Sequence, residues 1–577
     1  MKILGLNAYH GDSSACLLVD GKIVCAFEEE RFTRIKHWAG FPVQSIIKCL
    51  NEANCTIDDI DYITISRDPK YNLFKKIFYS LRNPRLLINS FNRIKNSYKI
   101  QTLEYEFEKQ LGLSVLEFRK KIKYVEHHSS HLASAFFASP FEDSAILSID
   151  AFGDFSSTVL AYGKGNKITK LEEVNFPHSI GQFYTACTQY LGFHYYGDEY
   201  KVMGLAPYGN PIYLDKISEI LIIDNDGLFR LNLDFFTHHI TGVQTKIMEN
   251  NDPTPSLFYS SEFEKLLGPS RKPNEELTQY HKDLASSIQK HCENVIFHLI
   301  NRLHEKTGSV NLSIAGGCAQ NSVANGKISR NTNFKNIYIP PAGHDAGTSI
   351  GSALYLYNHV LGNDKMPPML NPYLGTFAKN DEIEILLKEK GVSYEYYNDN
   401  ELPKIVAKYL NDGKVVGWFQ GRAEFGPRAL GGRSILVDPR REDAKDLLNS
   451  KIKRRESFRP FAPSILKEKV ADYFEIIDEV PFMEKVFPIK KDKQNLIKAV
   501  THVDGSGRLQ TVDKSVSPKY YKLIEEFYNL SGVPILLNTS FNENEPIVNL
   551  PIEALNCYLR TSMDVLVLEN FIINRIS

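Results

Sequence analysis

The 577 residues contain no run of about 18 apolar residues, the length a helix needs to cross a bilayer. Nor is there a basic segment followed by an apolar core at the start; the chain opens on a strand pattern, Ile3-Leu4-Gly5-Leu6. The expected compartment is therefore the cytoplasm, with no membrane as partner. Cysteine is sparse and scattered. Cys16, Cys25, Cys49, Cys55, Cys187, Cys292, Cys318 and Cys557 form no C-x-x-C pair, which excludes zinc-ribbon spacing and a disulfide framework and leaves reduced thiols. Charge of one sign is lacking too. The 68 Lys and Arg meet 69 Asp and Glu for a formal charge of −1, so no nucleic acid is expected as partner. H-E-x-x-H is absent, which argues against a zinc protease.

What is present is enough chain for two large domains, with the apolar and charged content of an ordinary globular enzyme. One stretch echoes another. ILGLNAYHGDSSACLLVDGKIVCAFEEE at the start and ILSIDAFGDFSSTVLAYGKGNKITKLEEV from Ile146 share a strand, a small polar elbow, Ser-Ser, a second strand, a turn and a third strand. Asp20-Gly21 is a two-residue hairpin signal, and Gly163 to Gly165 fills its place in the second copy. The duplication predicts a two-lobed α/β unit with a cleft at the strand ends. Apolar residues at helical spacing (Leu284, Ile288, Val295, Ile296, Leu299, Leu303) predict one long helix within Leu277 to Gly308. A Pro- and Gly-rich stretch from Gly362 to Tyr373 reads as a linker. The basic, apolar segment from Lys70 to Tyr124 reads as a helical insertion over the first lobe.

The sharpest local signal is HHSSH at His127–His131. At the start of a helix, residues i and i+4 share a face, so His127 and His131 can grip one metal ion while His128 points away. Asp150 and Asp345, each where a strand runs into a Gly-containing loop, are the candidate further ligands; iron, manganese and zinc all accept such a set. The turn Asp150-Ala-Phe-Gly153-Asp154 and the turn Gly316-Gly317 with Asn321 have the small residues that let a backbone approach phosphates.

The C-terminal third is dense in Arg and Gly. WFQGRAEFGPRALGGRSILVDPR and NSKIKRRESFRPFAPSIL carry Arg428, Arg433, Lys453, Arg454, Arg455 and Arg459, and THVDGSGRLQTV adds Arg508. Guanidinium forks match phosphate oxygens, and the interleaved Phe and Pro hold the loops stiff, so this region reads as an oxyanion pocket.

These motifs, with EEERFTRIKH, EYKVMGLAPYG, GHDAGTSIG and ILLNTSFNENEPIV in order along the chain, resemble the O-carbamoyltransferases of the NodU/CmcH type. The resemblance covers nearly the whole chain apart from the stretch around residues 70–120. It implies an α/β protein with a duplicated actin-like domain over residues 1–365 and a YrdC-like twisted α/β domain over residues 366–577. It implies ATP as cofactor, iron (Fe2+) as metal and Mg2+ as a further cation. Carbamoyl phosphate and ATP would give carbamoyl-adenylate in the second domain, and the carbamoyl group would then pass to a hydroxyl of a small-molecule acceptor, such as a sugar or secondary metabolite, in the first. By the same resemblance His127, His131, Asp150 and Asp345 are the metal ligands. Arg428, Lys453, Arg459, Arg508, Asn538 and Ser540 form the carbamoyl-phosphate and nucleotide pocket, while the two Gly-containing turns, which resemble the paired phosphate loops of the actin and sugar-kinase pattern, make Asp150, Gly153, Gly316, Gly317 and Asn321 the expected nucleotide-binding residues of the first domain. His10, Arg428 and Lys453 carry catalysis, and a homodimer is compatible with the pattern. The rival readings are a tRNA threonylcarbamoyl-modifying enzyme and an actin-fold small-molecule kinase.

Overall fold

The computed structural model describes residues 1–83, 103–112, 119–225, 227–243, 245–247, 253–476 and 478–575. The chain forms two compact units: Met1–Asn321 with Ile328–Met369, and Ser322–Lys327 with Leu370–Ser577.

The first unit repeats one topology. Strands β1 (Lys2–Asn7), β2 (Ser14–Val19), β3 (Lys22–Glu28), β4 (Tyr62–Ile65) and β5 (Ile122–Tyr124) form a sheet of order β3-β2-β1-β4-β5. Strands β6 (Asp143–Gly153), β7 (Ser156–Lys164), β8 (Lys167–Asn175), β9 (Asn311–Ala315) and β10 (Asn336–Tyr338) form a second, of order β8-β7-β6-β9-β10. In each, the first three strands are an antiparallel meander, and the last two run parallel to the first. The echo seen in the sequence is thus an echo of strand order and direction, as the duplicated α/β expectation requires. Asp20 and Gly21 have φ of 48° and 79°, the left-handed pair that a tight two-residue hairpin needs.

The long helix spans Gln279–Thr307 and stops at Gly308, whose φ of 63° closes it. All six residues that marked its apolar face are buried. The stretch expected to be helical from Lys70 to Tyr124 gives helices Leu73–Arg82 and Leu103–Leu111, but Ile122–Tyr124 corrects that expectation by forming β5. Three residues carry too little periodicity to declare a strand; pairing with Ile63–Ile65 decides it. Residues 84–102 and 113–118 of that stretch lie outside the described residues.

Helix Thr348–Leu354 is fully buried and fits only because two glycines admit it. A Cβ on Gly5 would lie 2.1 Å from Ser349 O, and one on Gly351 would lie 1.8 Å from Ser130 O. This close approach fixes Asp345, just upstream, against the helix that starts at His127.

The second unit is built on one nine-stranded mixed sheet. Its strands are β11 (Glu395–Tyr396), β12 (Val416–Phe419), β13 (Arg433–Val437), β14 (Ala462–Leu466), β15 (Lys485–Pro488), β16 (Ser506–Val512), β17 (Ile535–Ser540), β18 (Val565–Leu568) and β19 (Phe571–Asn574). The order is β11-β19-β18-β12-β13-β17-β14-β16-β15. Helices Leu402–Asn411 and Pro518–Ser531 share its core through Val406, Leu410, Leu523 and Phe527. Trp418 is fully buried, and its indole N–H donates to Gly431 O at 2.9 Å.

Gly351→Ala is expected to destabilise the first unit by about 1–3 kcal/mol through overpacking. A calorimetric scan should show the transition of the first unit moving to lower temperature while that of the second stays in place; an unchanged first transition would refute the tight helix contact.

Candidate active site

Glu126 caps the helix His127–Phe136, its carboxylate accepting from His128 N at 2.8 Å and Ser129 N at 2.7 Å. Burial opposes its charge, but Lys170, at 2.6 Å, prevails and holds the carboxyl down at about 2. The cap fixes the rotation of the helix. His127 and His131 therefore face inward together, their Nε2 atoms 3.1 Å apart. His128 faces elsewhere as expected, onto Ser148 Oγ at 2.8 Å, and burial pushes its imidazole down to about 4, so it stays neutral.

Two carboxylates close the group. His127 Nε2 lies 3.0 Å from Asp150 Oδ2 and 3.6 Å from Asp345 Oδ1; His131 Nε2 lies 3.3 Å from each. All four residues are buried, and their donor atoms all lie within 4.8 Å of one another. Ligands held at about 2.0–2.1 Å around a tetrahedral ion sit about 3.3 Å apart, so the observed spacings of 3.0–3.6 Å fit a single metal ion. The charge fits as well. Burial opposes ionisation of Asp150, yet hydrogen bonds to His127 and His131 hold it well below the usual carboxylate range. Burial likewise opposes the His131 imidazolium, but Asp150 and Asp345 drive it up to about 9. Asp345 Oδ1 and His131 Nδ1 are buried without a hydrogen-bond partner. The pocket asks for positive charge and offers nitrogen and oxygen donors to supply it with a home.

The neighbouring small residues serve this group. A Cβ on Gly153 would lie 1.9 Å from His127 Cδ2, so the space beside Gly153 holds the imidazole ring. Gly317 donates its N–H to Asp150 Oδ1 at 3.2 Å, and a Cβ there would lie 2.9 Å from that oxygen. Gly316, with φ of 101°, lets its turn lie against Ile149. Asn321 pairs reciprocally with Gln289, each amide giving and receiving at 3.1 Å. Asp154 accepts from His127 N at 3.0 Å and Asp68 N at 2.7 Å. His10 joins the group directly: its Nδ1 is 2.6 Å from Asp345 Oδ2, and its ring centre is 5.0 Å from that of His127.

In the second unit the expected cations divide into two kinds. Arg433 is fully buried, and its guanidinium donates to Gln420 O, Gly421 O, Gly432 O and Thr376 O at 3.0–3.1 Å while lying 3.5 Å from the centre of the Phe419 ring. It is a structural cross-tie, which corrects its inclusion among the oxyanion-binding cations. Arg454 turns outward to Glu543 at 3.1 Å. Arg508 differs. Burial pushes its guanidinium down, Arg428, Arg455 and Arg459 add like charge, and its Nε is buried without a hydrogen-bond partner. The like charge crowded around Arg508 favours an anion beside it. Arg455 is held by Asn449 Oδ1 at 2.9 Å and stacks over Phe461, and Arg459 lies 3.6 Å from Glu456. His502 stands beside Arg508; burial brings it down to about 4, which keeps it from adding a further charge.

Lys453 and Ser540 are in contact. The buried ammonium donates to Ser540 O at 2.5 Å and to Asn542 O and Oδ1 at 2.8 and 2.7 Å, with Ser540 Oγ at 3.2 Å. Asn538 Nδ2 reaches Ala429 O, beside Arg428, at 3.1 Å, and also Ser464 and Gln510, which leaves its buried Oδ1 unpartnered.

Sequence reasoning missed a second group in the first unit. His37 Nδ1 lies 2.8 Å from Asp12 Oδ1, Glu30 accepts from His37 N at 2.9 Å, and His344 Nε2 stands 4.0 Å from Asp12 Oδ2. Burial opposes the His37 charge, but Asp12 outweighs it and moves the ring up to about 9. Asp12, Glu30 and His37 sit in the elbow and E-E-E-R segments, where no spacing rule joins Asp12 to His37. Glu126 was also missed; its signal was its place directly before the histidine-led helix.

Comparison with known proteins agrees with the sequence resemblance. A family model described as "Carbamoyltransferase N-terminus" matches residues 2–354, and one described as "Carbamoyltransferase C-terminus" matches residues 407–575. The chain is 43% identical to the uncharacterized protein sll1178 of Synechocystis, over 99% of this chain and 96% of that protein. It is 39% identical to the nodulation protein NolNO of Sinorhizobium fredii, over 99% of this chain and 80% of that protein. Nodulation protein U of Rhizobium tropici is 27% identical over 94% and 91%.

Gly153→Ala is expected to displace His127 and cut divalent-ion binding at least tenfold, as severely as His131→Ala. Metal content by plasma emission after equilibration with Fe2+ or Mn2+ reads this directly. Retention of one ion per chain in Gly153→Ala would contradict the packing argument.

Proposed function

The chain belongs to the carbamoyltransferase family, and we propose that it transfers a carbamoyl group from carbamoyl phosphate, activated with ATP, to a hydroxyl of a small-molecule acceptor. The observation that carries the ATP and carbamoyl-phosphate half of the reading is Arg508, whose Nε is buried without a hydrogen-bond partner amid the like charge of Arg428, Arg455 and Arg459. A guanidinium in such company is stabilised by an anion, and a phosphate group presents the paired oxygens that guanidinium forks match.

In the first stage, water opens the mixed anhydride of carbamoyl phosphate and inorganic phosphate leaves. The carbamate oxygen then attacks the α-phosphorus of ATP, which gives carbamoyl-adenylate and pyrophosphate. Arg428, Arg459 and Arg508 would neutralise the phosphoryl oxygens. Lys453 would hold the loop at Ser540 to Asn542 in place, since its ammonium is already engaged there. The unpartnered Asn538 Oδ1 is an acceptor suited to a carbamoyl N–H.

In the second stage, the acceptor oxygen attacks the carbamoyl carbon and AMP leaves with the bonding pair. His127, His131, Asp150 and Asp345 would hold a divalent metal, iron in this reading, which supplies Lewis-acid stabilisation of the charge that develops on oxygen. His10 is fixed through Nδ1 by Asp345, and its other nitrogen is left to orient the acceptor hydroxyl. Domains at 1–365 and 366–577 would divide these stages, transfer in the first and activation in the second. Gly316, Gly317 and Asn321 would border the nucleotide in the first. The cytoplasm remains the proposed compartment.

Pyrophosphate release from ATP is expected to depend on carbamoyl phosphate. Arg508→Ala should lower it roughly a hundredfold. Asp150→Asn should leave that release largely intact and abolish carbamoylation of a hydroxylated acceptor. Release that ignores carbamoyl phosphate in folded, metal-loaded protein would sink the activation half of this reading, and the kinase alternative would then predict a phosphorylated product.

A further inference from the structure

Three polar side chains stand side by side within the sheet of the second unit. Side chains along a strand alternate between faces, and residues that face each other on paired strands share one. Asn538 on β17 faces Ala462 on β14, and Ser464, two residues on from Ala462, faces Gln510 on β16. Asn538, Ser464 and Gln510 therefore share one face across three adjoining strands, and Arg508, two residues before Gln510, lies on the same face. The three are buried. Buried amides and hydroxyls cost free energy unless their atoms are paired, so the pairing of each atom carries information.

The bonds among them decide which way both amides point. Gln510 Nε2 donates to Leu430 O at 2.7 Å, and a carbonyl can only accept, so Gln510 presents its oxygen at the other end. That oxygen accepts from Ser464 Oγ, and from Asn538 Nδ2 at 3.0 Å. Asn538 Nδ2 also reaches Ala429 O, a second carbonyl, and Ser464 Oγ, each at 3.1 Å. Turning either amide over would set oxygen against oxygen. One atom is left over. Asn538 Oδ1 is buried without a hydrogen-bond partner, and it is an acceptor that lacks a donor.

We propose that Gln510 is a positioning residue that makes the second unit select a carbamoyl group, by holding the Asn538 amide with its oxygen unpaired. The proposal rests on the carbamoyl-phosphate reading above and deepens it. A carbamoyl group brings an N–H to Asn538 Oδ1. Acetyl phosphate, of nearly the same shape, brings a methyl group and leaves that oxygen unpaired. A site built to receive an N–H rejects the analogue that lacks it far more strongly than an apolar pocket would. With the Asn538 amide reversed, a donor would meet a donor and the preference would be lost. Gln510 acts through Asn538 and touches no reacting atom in this scheme. Ala429 and Leu430, whose carbonyls complete the network, follow Arg428 directly, so the same bonds tie the loop of that arginine to the sheet.

The test compares carbamoyl phosphate with acetyl phosphate as the stimulant of pyrophosphate release from ATP by the full-length protein. The wild type is expected to favour carbamoyl phosphate by at least about a hundredfold in kcat/KM. Gln510→Met, which fills similar space without an oxygen, should narrow that ratio by about tenfold or more, chiefly through loss with carbamoyl phosphate. Gln510→Ala is the second variant, with the same expectation, should Gln510→Met fail to fold. Gln510→Glu keeps an oxygen for Asn538 to donate to and should retain more of the ratio than either. A residue that only supports the fold would lower the rate with both phosphates alike. An unmoved ratio in a variant that melts near the wild-type temperature therefore overturns the proposal. Equal use of the two phosphates by the wild type overturns it as well, while leaving the activation reading in place. Release that carbamoyl phosphate fails to stimulate sinks the activation reading itself, and the role of Gln510 falls with it.

Discussion

Two carboxylates and two imidazoles whose donor atoms all lie within 4.8 Å of one another, away from water, cannot stand as a purely anionic group. Either protons or a metal cation must balance Asp150 and Asp345. Much of the first unit is arranged around that requirement. Glu126 sets the rotation of the helix that carries both histidines. Gly153 clears space for one ring, and Gly317 gives its N–H to Asp150. Gly5 and Gly351 let the buried helix after Asp345 approach closely enough to bring that carboxylate into the group. Helix caps, close-packed glycines and strand ends are ordinary devices; their convergence on four donor atoms is what gives the unit its chemistry.

The second unit meets the converse requirement. Arg508 is half-buried and crowded by three other guanidinium groups, while Arg433, fully buried, donates to four backbone carbonyls and lies over a ring face. The contrast separates an arginine tied into the fold by carbonyls from one crowded by like charge. In the proposed reaction the two units divide the electrostatic labour. One gathers positive charge for phosphoryl oxygens, and the other gathers negative charge for a metal.

Much of this was legible beforehand. The hairpin-led echo announced the duplicated sheets because strand alternation and turn residues are local properties. The spacing of His127 and His131 announced a shared face because helical period is also local. What the sequence hid depends on tertiary contact. The link from Asp12 to His37 spans 25 residues and has no periodicity behind it. Arg433 and Arg508 look alike in a string of letters and differ only in what surrounds them. The three residues of β5 became a strand because β4 was there to pair with. The helix from Leu73 to Arg82 had a legible amphipathic pattern, but which side would face the protein was decided by Tyr79 and its aromatic neighbours.

The central claim is that His127, His131, Asp150 and Asp345 hold one divalent ion together. Anomalous diffraction from crystals of the Mn2+- or Fe2+-loaded protein tests it most directly. The account predicts a single strong peak within about 2.0–2.3 Å of all four donor atoms. It would be contradicted by a peak elsewhere, such as beside Asp12 and His37, or by no peak at all with a protonated His131 bridging the two carboxylates.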